Sequence, residues 1–187
     1  MNDCYAGLVW MASNAESLGI DAAKIIVGGM SAGGGLSAAV ALKARDTKAP
    51  AILAQLLVYP MLDHTNSTPS SHAIQDTRVW NRLSNLQAWE YYLGGKEPDI
   101  YASPSTAAVS DLAGLPPAHI NIGTCDMFLD EDMAYASKLL QAGVSCELHV
   151  YPGAFHASNI FLPTHPTSAR WAADEAAFID RAFAGEL

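Results

Sequence analysis

The chain has 187 residues, half of them hydrophobic and 16% charged, and ten Lys plus Arg against nineteen Asp plus Glu give a formal net charge of −9. That is one domain's length with material for a substantial core. It carries no basic patch of a nucleic-acid binder, no apolar run of the roughly 18 residues a bilayer span needs, and no signal-peptide start in MNDCYAGLVW. Three widely spaced cysteines, Cys4, Cys125 and Cys146, match neither a disulfide framework nor a zinc-ligand spacing and suit a reducing cytoplasm. Cys125 is read as a small buried hydrophobe.

In chain order, Tyr5, Leu8, Val9, Ala12 and Ala15 recur at helical spacing over residues 3 to 18, and Gly19 follows as a stop signal. A short buried strand is predicted over Lys24 to Gly28 and a small-residue helix over Ala32 to Ala44. AILAQLLVYP, Ala51 to Pro60, is a second uninterrupted apolar strand, as expected of parallel strands covered on both faces. Residues 61 to 117 are irregular: a polar, turn-rich stretch at Asn66 to Ser71, a helix over Ser84 to Leu93 stopped by Gly94 and Gly95, and loop from Tyr101 to Pro117. Regularity resumes with a strand at Ala118 to Thr124, a helix at Asp130 to Ala142, a strand at Ser145 to Pro152 and a last helix from Thr167 to Ala184. Four apolar strands separated by helices predict an α/β fold with a mostly parallel sheet and helices on both faces. Residues 1–187 form one domain in this reading, and residues 61–117 form a cap-like insertion over one end of the sheet.

The stretch KIIVGGMSAGGGLSAAVAL, Lys24 to Leu42, concentrates the chemistry. A phosphate loop requires a lysine after its glycines, and none follows. Gly33-x-Gly35-x-x-Ala38 satisfies a dinucleotide fingerprint, but the predicted strand ends too early for it, and the next strand has no carboxylate for a ribose hydroxyl. The third reading is Gly29-Met30-Ser31-Ala32-Gly33, a Gly-x-Ser-x-Gly between a strand and a helix. A serine at such a sharp turn is held in a strained backbone so that its hydroxyl projects from the sheet. Glycine at 29 and 33 is expected to leave room for the close chain passage. The Ala32 N–H, at the helix start, is placed to stabilise an oxyanion. Met30 is a side chain beside the elbow.

A serine hydroxyl needs a base to take its proton and a carboxylate to orient that base. In a strand–turn–helix setting of this type the order is Ser, Asp or Glu, His. The strand ending at Thr124 leads into Cys125-Asp126, and the strand ending at Pro152 leads into GAFHAS with His156. Both lie just beyond strand C-termini, where α/β sheets place their ligands. His165 is the rival base, in a PTHPTS stretch that looks like a helix-starting turn; His64 and His72 lie in the insertion, and His119 and His149 within predicted strands. Asp126 competes with Asp130, Glu131 and Asp132, which open the next helix and complement its dipole; Asp130 is a further supporting group. A serine–lysine pair of the β-lactamase type is disfavoured, because Gly34 stands where its lysine belongs.

With these residues in place, the chain resembles the hormone-sensitive-lipase-like (type IV) carboxylesterase family of α/β-hydrolases. The stretches that carry the resemblance are DCYAGLVWMASNAESLGID, KIIVGGMSAGGGLSAAVAL, LLVYPMLD, YASPS, LAGLPPAHINIGTCDMFLDED and YASKLLQAGVSCELHVYPGAFHAS. It implies an α/β-hydrolase fold, with Ser31 as nucleophile, Asp126 as orienter and His156 as base. It also implies a small-molecule ester as substrate, an acyl-enzyme intermediate, and no metal or other cofactor; a homodimer is left open as a partner. Trp80, Trp89 and Tyr92 are read as cap packing, with lining of the acyl pocket as the alternative.

Two departures from the family stand out. Met30 occupies a position that often carries an acidic residue. The family's N-terminal strands and HGGG loop have no counterpart, since no HGG occurs in the sequence. The resemblance therefore covers the C-terminal part of the family's domain. The oxyanion hole is expected to keep Ala32 but lack the glycine-loop donors, at a cost of about 10²–10³ in turnover for one donor. The first strand is expected at an apolar sheet edge. The reading is a serine carboxylic-ester hydrolase acting on small esters. Its alternative is a truncated, weakly active or non-catalytic ligand-binding member of the same fold, and the elbow leaves amide hydrolysis or acyl transfer open.

Overall fold

The computed structural model describes residues 1–187. The first helices are α1 (Asn2–Ser13) and α2 (Ala15–Leu18), the latter closed by Gly19 in the left-handed conformation. Strand β1 (Ile26–Met30) runs into α3 (Ala32–Thr47) with only Ser31 between them. Strand β2 (Ala54–Val58) follows. Next come α4 (Pro69–Ala73) and α5 (Arg82–Leu93), with two single 3-10 turns at Pro104–Thr106 and Val109–Leu112. The chain then alternates through β3 (Ala118–Cys125), α6 (Leu129–Gln141) and β4 (Cys146–Phe155). It ends with α7 (Ser158–Phe161) and α8 (Pro166–Ala184).

All four strands are parallel, in the spatial order β1-β2-β3-β4, so β1 is an edge strand, as expected. Pairing carries the strand ends to one side: Met30 lies beside Val58, Val58 beside Asn121, and Cys125 beside Phe155 after a bulge. β1 thus ends two residues later than its sequence suggests. The two glycines of Ile26–Met30 hide a strand from hydropathy, but the ladder to β2 holds them extended.

The sheet's two faces divide the core. Leu57 and Ile120 join Ala38, Leu42, Tyr135 and Leu139 under α3 and α6. The opposite face packs Val58 and Tyr151 against Trp171 of α8, and Ala54 against Phe178 and Ala182. Polar strand residues on this second face find partners on α8: the Asn121 amide donates to Glu175, and Tyr151 donates to Asp174. No helix is long and apolar enough to cross a membrane.

The short helices α4 and α7 fall in stretches that read as loop. Each is four or five residues long, below the length at which hydrophobic periodicity can announce a helix. What forms α4 is local: Thr68 caps it by accepting from the Ser71 N–H, with Pro69 at the first position.

Candidate active site

Ser31 is the single residue between β1 and α3, with φ 57° and ψ −122°. A non-glycine residue held at positive φ costs on the order of 1–3 kcal/mol and persists only where its surroundings over-determine it. They do so here. Its N–H donates to the Val58 carbonyl at 2.9 Å, and its carbonyl accepts from Met61 N at 2.9 Å and Gly35 N at 3.1 Å. The turn is therefore bolted to the end of β2 on one side and to the first turn of α3 on the other. At the first position of that helix the Ala32 N–H has no intrahelical acceptor.

The glycines divide in a way the pattern does not reveal. A Cβ on Gly29 would lie 2.4 Å from the carbonyl carbon and oxygen of Gly33, so position 29 must be glycine. A Cβ on Gly33 would meet nothing within 4 Å. The expectation that Gly33 makes room is therefore corrected: its backbone is what Gly29 must clear, and its own α-carbon faces open space. Gly34 and Gly35 do bring α3 close to the chain after β2, with built Cβ atoms 2.8 Å from Pro60 and 2.0 Å from the Met61 carbonyl oxygen.

His156 follows the end of β4 and precedes Ala157, which turns the chain at φ 62° into α7. Its Nε2 lies 3.0 Å from Ser31 Oγ and its Nδ1 2.8 Å from Asp126 Oδ2. Asp126 is 1% exposed, and its second oxygen accepts from the Phe128 N–H at 3.0 Å, so both oxygens have partners. The His156 ring is walled by Tyr59 at 4.8 Å and Phe128 at 5.2 Å, both edge-on, with Trp80 at 6.3 Å. Burial pushes the Tyr59 hydroxyl up to about 12, so it stays a donor, within 3.1 Å of Asn159 Oδ1 and 3.2 Å of Met30 Sδ. Gly123 sets the spacing of the two loops: a Cβ there would sit 2.2 Å from the Ala154 carbonyl oxygen, so β3 and β4 meet closely just before Asp126 and His156 diverge. No sequence pattern marked this glycine.

The other candidates fall elsewhere. His165 caps α8, its Nδ1 accepting from Thr167 N at 3.2 Å, and His64 bonds Ser103 Oγ at 3.0 Å. Asp130 accepts from the Ser70 N–H at 2.7 Å and so anchors α4 to α6. Glu131 and Asp132, read as acids that complement the helix dipole, are both buried, at 2% and 0% exposure. Glu131 Oε1 accepts from Leu62 N and Asp63 N at 2.8 and 3.1 Å, fixing the segment whose Met61 N–H grips Ser31. Its carboxyl is raised well above the usual range by burial, against the pull of those two N–H groups. Asp132 is raised likewise by burial, then by Glu131 and Asp126, and neither of its oxygens has a partner. An acidic run shows that a helix is starting; it does not show that the helix turns two of its acids inward. Cys125 is exposed, not buried as its type suggests. The ladder carries it past the bulge to the rim of the sheet, where the chain turns toward Asp126.

Against the start of α3 lies an apolar cavity of ≈ 110 Å³, lined by Ala32 and Leu36, Met61, and Ala88, Trp89 and Tyr92 of α5. Trp89 and Tyr92 thus line this cavity as well as packing on each other at 5.8 Å.

Comparison with known proteins adds relatives to this geometry. A family model described as alpha/beta hydrolase fold matches residues 1–159. Carboxylesterase NlhH of Mycobacterium tuberculosis is 38% identical over 173 residues, covering 90% of this chain and 54% of that protein. The ethyl acetate hydrolase of Pseudomonas putida is 32% identical over 154 residues, covering 79% and 46%. Among solved structures, a bacterial heroin esterase superposes with TM-score 0.93 at 44% identity, covering 97% of this chain and 58% of that one. The chain spans about half the length of the curated relatives it matches.

Proposed function

The chain belongs to the α/β-hydrolase family, in its hormone-sensitive-lipase-like branch, and from that premise we propose that it hydrolyses small carboxylic esters with Ser31 as nucleophile, His156 as general base and Asp126 as orienter. The observation that carries this reading is the continuous path from Ser31 Oγ through the His156 ring to Asp126, at 3.0 and 2.8 Å.

Ser31 Oγ attacks the ester carbonyl carbon as its proton passes to His156 Nε2. The oxygen that gains charge is stabilised by the Ala32 N–H and the start of α3. Collapse breaks the bond to the alkoxy group, which leaves with the proton from His156. Water then repeats the sequence against the acyl-enzyme and releases the acid. Asp126 holds the imidazole with Nδ1 as donor, leaving Nε2 free to accept. The cavity that Ala32 lines is far below the roughly 300–1,000 Å³ of a drug-sized pocket, so it suits a short acyl group. α5, from the segment 61–117, serves as its cap through Trp89 and Tyr92.

A second reading is a slow or non-catalytic binder of the same fold, in which the oxyanion meets the Ala32 N–H at the start of α3 and too few further donors. A single missing donor costs about 10²–10³ in turnover. Hydrolysis of 4-nitrophenyl acetate and 4-nitrophenyl octanoate separates the two readings. We expect turnover of the acetate, lost in Ser31→Ala, with the octanoate a poor substrate. Ser31→Ala hydrolysing as fast as the unchanged chain defeats the esterase assignment.

A further inference from the structure

The sheet face beneath α8 carries a second cluster of chemistry-bearing side chains, made of none of the residues around Ser31. His119 on β3 stands directly opposite Glu147 on β4, and His149, two residues further along β4, falls on the same face because strand side chains alternate. Their ligand atoms lie within 4.8 Å of one another. We propose that His119, Glu147 and His149 form a binding site for a borderline divalent cation of the Zn²⁺, Ni²⁺ or Cu²⁺ class, which clips β3 to β4 under α8.

Four observations carry it. Glu147 Oε2 lies 3.9 Å from His119 Nδ1 and 3.6 Å from His149 Nε2, a few tenths of an ångström beyond the roughly 3.3 Å edge of a tetrahedron with 2.0–2.1 Å bonds. His119 is fully buried, yet the Nδ1 it aims at Glu147 has no hydrogen-bond partner, an arrangement native interiors avoid and a cation relieves. The other nitrogen of the His149 ring faces Asp174 Oδ2 at 3.5 Å, the outer carboxylate that ligating histidines usually have. Finally, Arg181 pairs with Glu147 Oε1 and leaves Oε2 to the site. Two imidazoles with one carboxylate select borderline divalent ions over Mg²⁺ or Ca²⁺. His149 and Glu147 are each about one-third exposed, so the ion enters from solvent and completes its shell with water. Ligation by Nδ1 puts the His119 ring proton on Nε2, and the Asn121 amide, 3.4 Å from that nitrogen, keeps its bond to Glu175.

The test is calorimetric titration of the tag-free, chelator-treated chain with ZnCl₂ and with NiCl₂ in a non-coordinating buffer, a readout independent of ester hydrolysis. One ion is expected to bind with a dissociation constant of about 100 μM or tighter, near −5.5 kcal/mol or better. His149→Ala and Glu147→Gln, both at partly exposed positions, are each expected to weaken binding at least about tenfold. The exposed histidines make the controls, and His72→Ala and His165→Ala are expected to leave binding unchanged. In the unchanged chain, ¹⁵N imidazole spectra are expected to report zinc at His119 Nδ1 and His149 Nε2. Absence of binding in that range, binding that survives either ligand substitution, or zinc-induced shifts confined to other histidines overturns the proposal.

Discussion

Asp126 and Asp132 are six residues apart and equally buried, at 1% and 0% exposure, yet they live under opposite conditions. Asp126 follows a strand end, and its two oxygens receive the Phe128 N–H and the His156 ring. Asp132 lies one turn into α6, where the backbone donors are already committed to the helix, and its oxygens receive nothing. A loop beyond a strand end has free N–H groups of its own to offer a carboxylate; inside a helix only a neighbouring segment can supply them, as Leu62 and Asp63 do for Glu131. Burial alone therefore does not make a carboxylate functional. The supply of donors decides whether it is hydrogen-bonded, as Asp126 is to His156, or is simply held up the pH scale.

Removing the charge at each position tests the contrast, and the larger effect belongs to Asp126. Asp126→Asn keeps the shape but lets the His156 ring settle with the wrong nitrogen protonated. In serine proteases that substitution lowers turnover about 10⁴-fold, and a loss of similar size is expected here in 4-nitrophenyl acetate hydrolysis, with thermal stability changed far less than activity. Equal losses in the two positions' Asn variants would erase the distinction.

Gly29→Ala comes next. The added methyl falls on the Gly33 backbone, so α3 must shift, and a loss of about 1–3 kcal/mol in urea unfolding is expected, with activity falling as Ser31 moves. Gly33→Ala sharpens the point from the other side: it is expected to keep stability or raise it by at most about 1 kcal/mol through helix propensity.

Asp132→Asn is expected to stabilise. Burial raises the folded-state value of Asp132 above its ordinary 3.8, so the unfolded chain releases its proton first, and the aspartate's contribution is intact below about pH 4 and erodes as pH rises. The variant's advantage should therefore be near zero at pH 4 and grow steadily toward pH 8. Thermal melts at both pH values check this, and an advantage confined to acid would refute it.

Much of this architecture was legible in the residues. The uninterrupted apolar runs around Leu57 and Ile120 announced buried parallel strands, and Ser31, Asp126 and His156 were singled out because each follows a strand end in the expected order; the structure brings them within 3.0 and 2.8 Å. What stayed hidden depends on packing between distant segments. The clearance of Gly33 and the crowding of Gly123 against Ala154 are backbone distances without a local pattern. The inward turn of Glu131 and Asp132 depends on which face of α6 meets Leu62. The clustering of His119 with Glu147 and His149 required the β3–β4 register, although the alternation of Glu147 and His149 was visible in the strand.

The most direct test of the central claim is mass spectrometry of the chain after brief exposure to diethyl 4-nitrophenyl phosphate, an organophosphate that labels serines whose proton a base removes. The expected result is one diethylphosphoryl adduct, on the peptide bearing Ser31, absent in Ser31→Ala and formed at least about 10²-fold more slowly in His156→Ala. Labelling of other serines alone, or a His156→Ala chain labelled as fast as the unchanged one, would contradict the account.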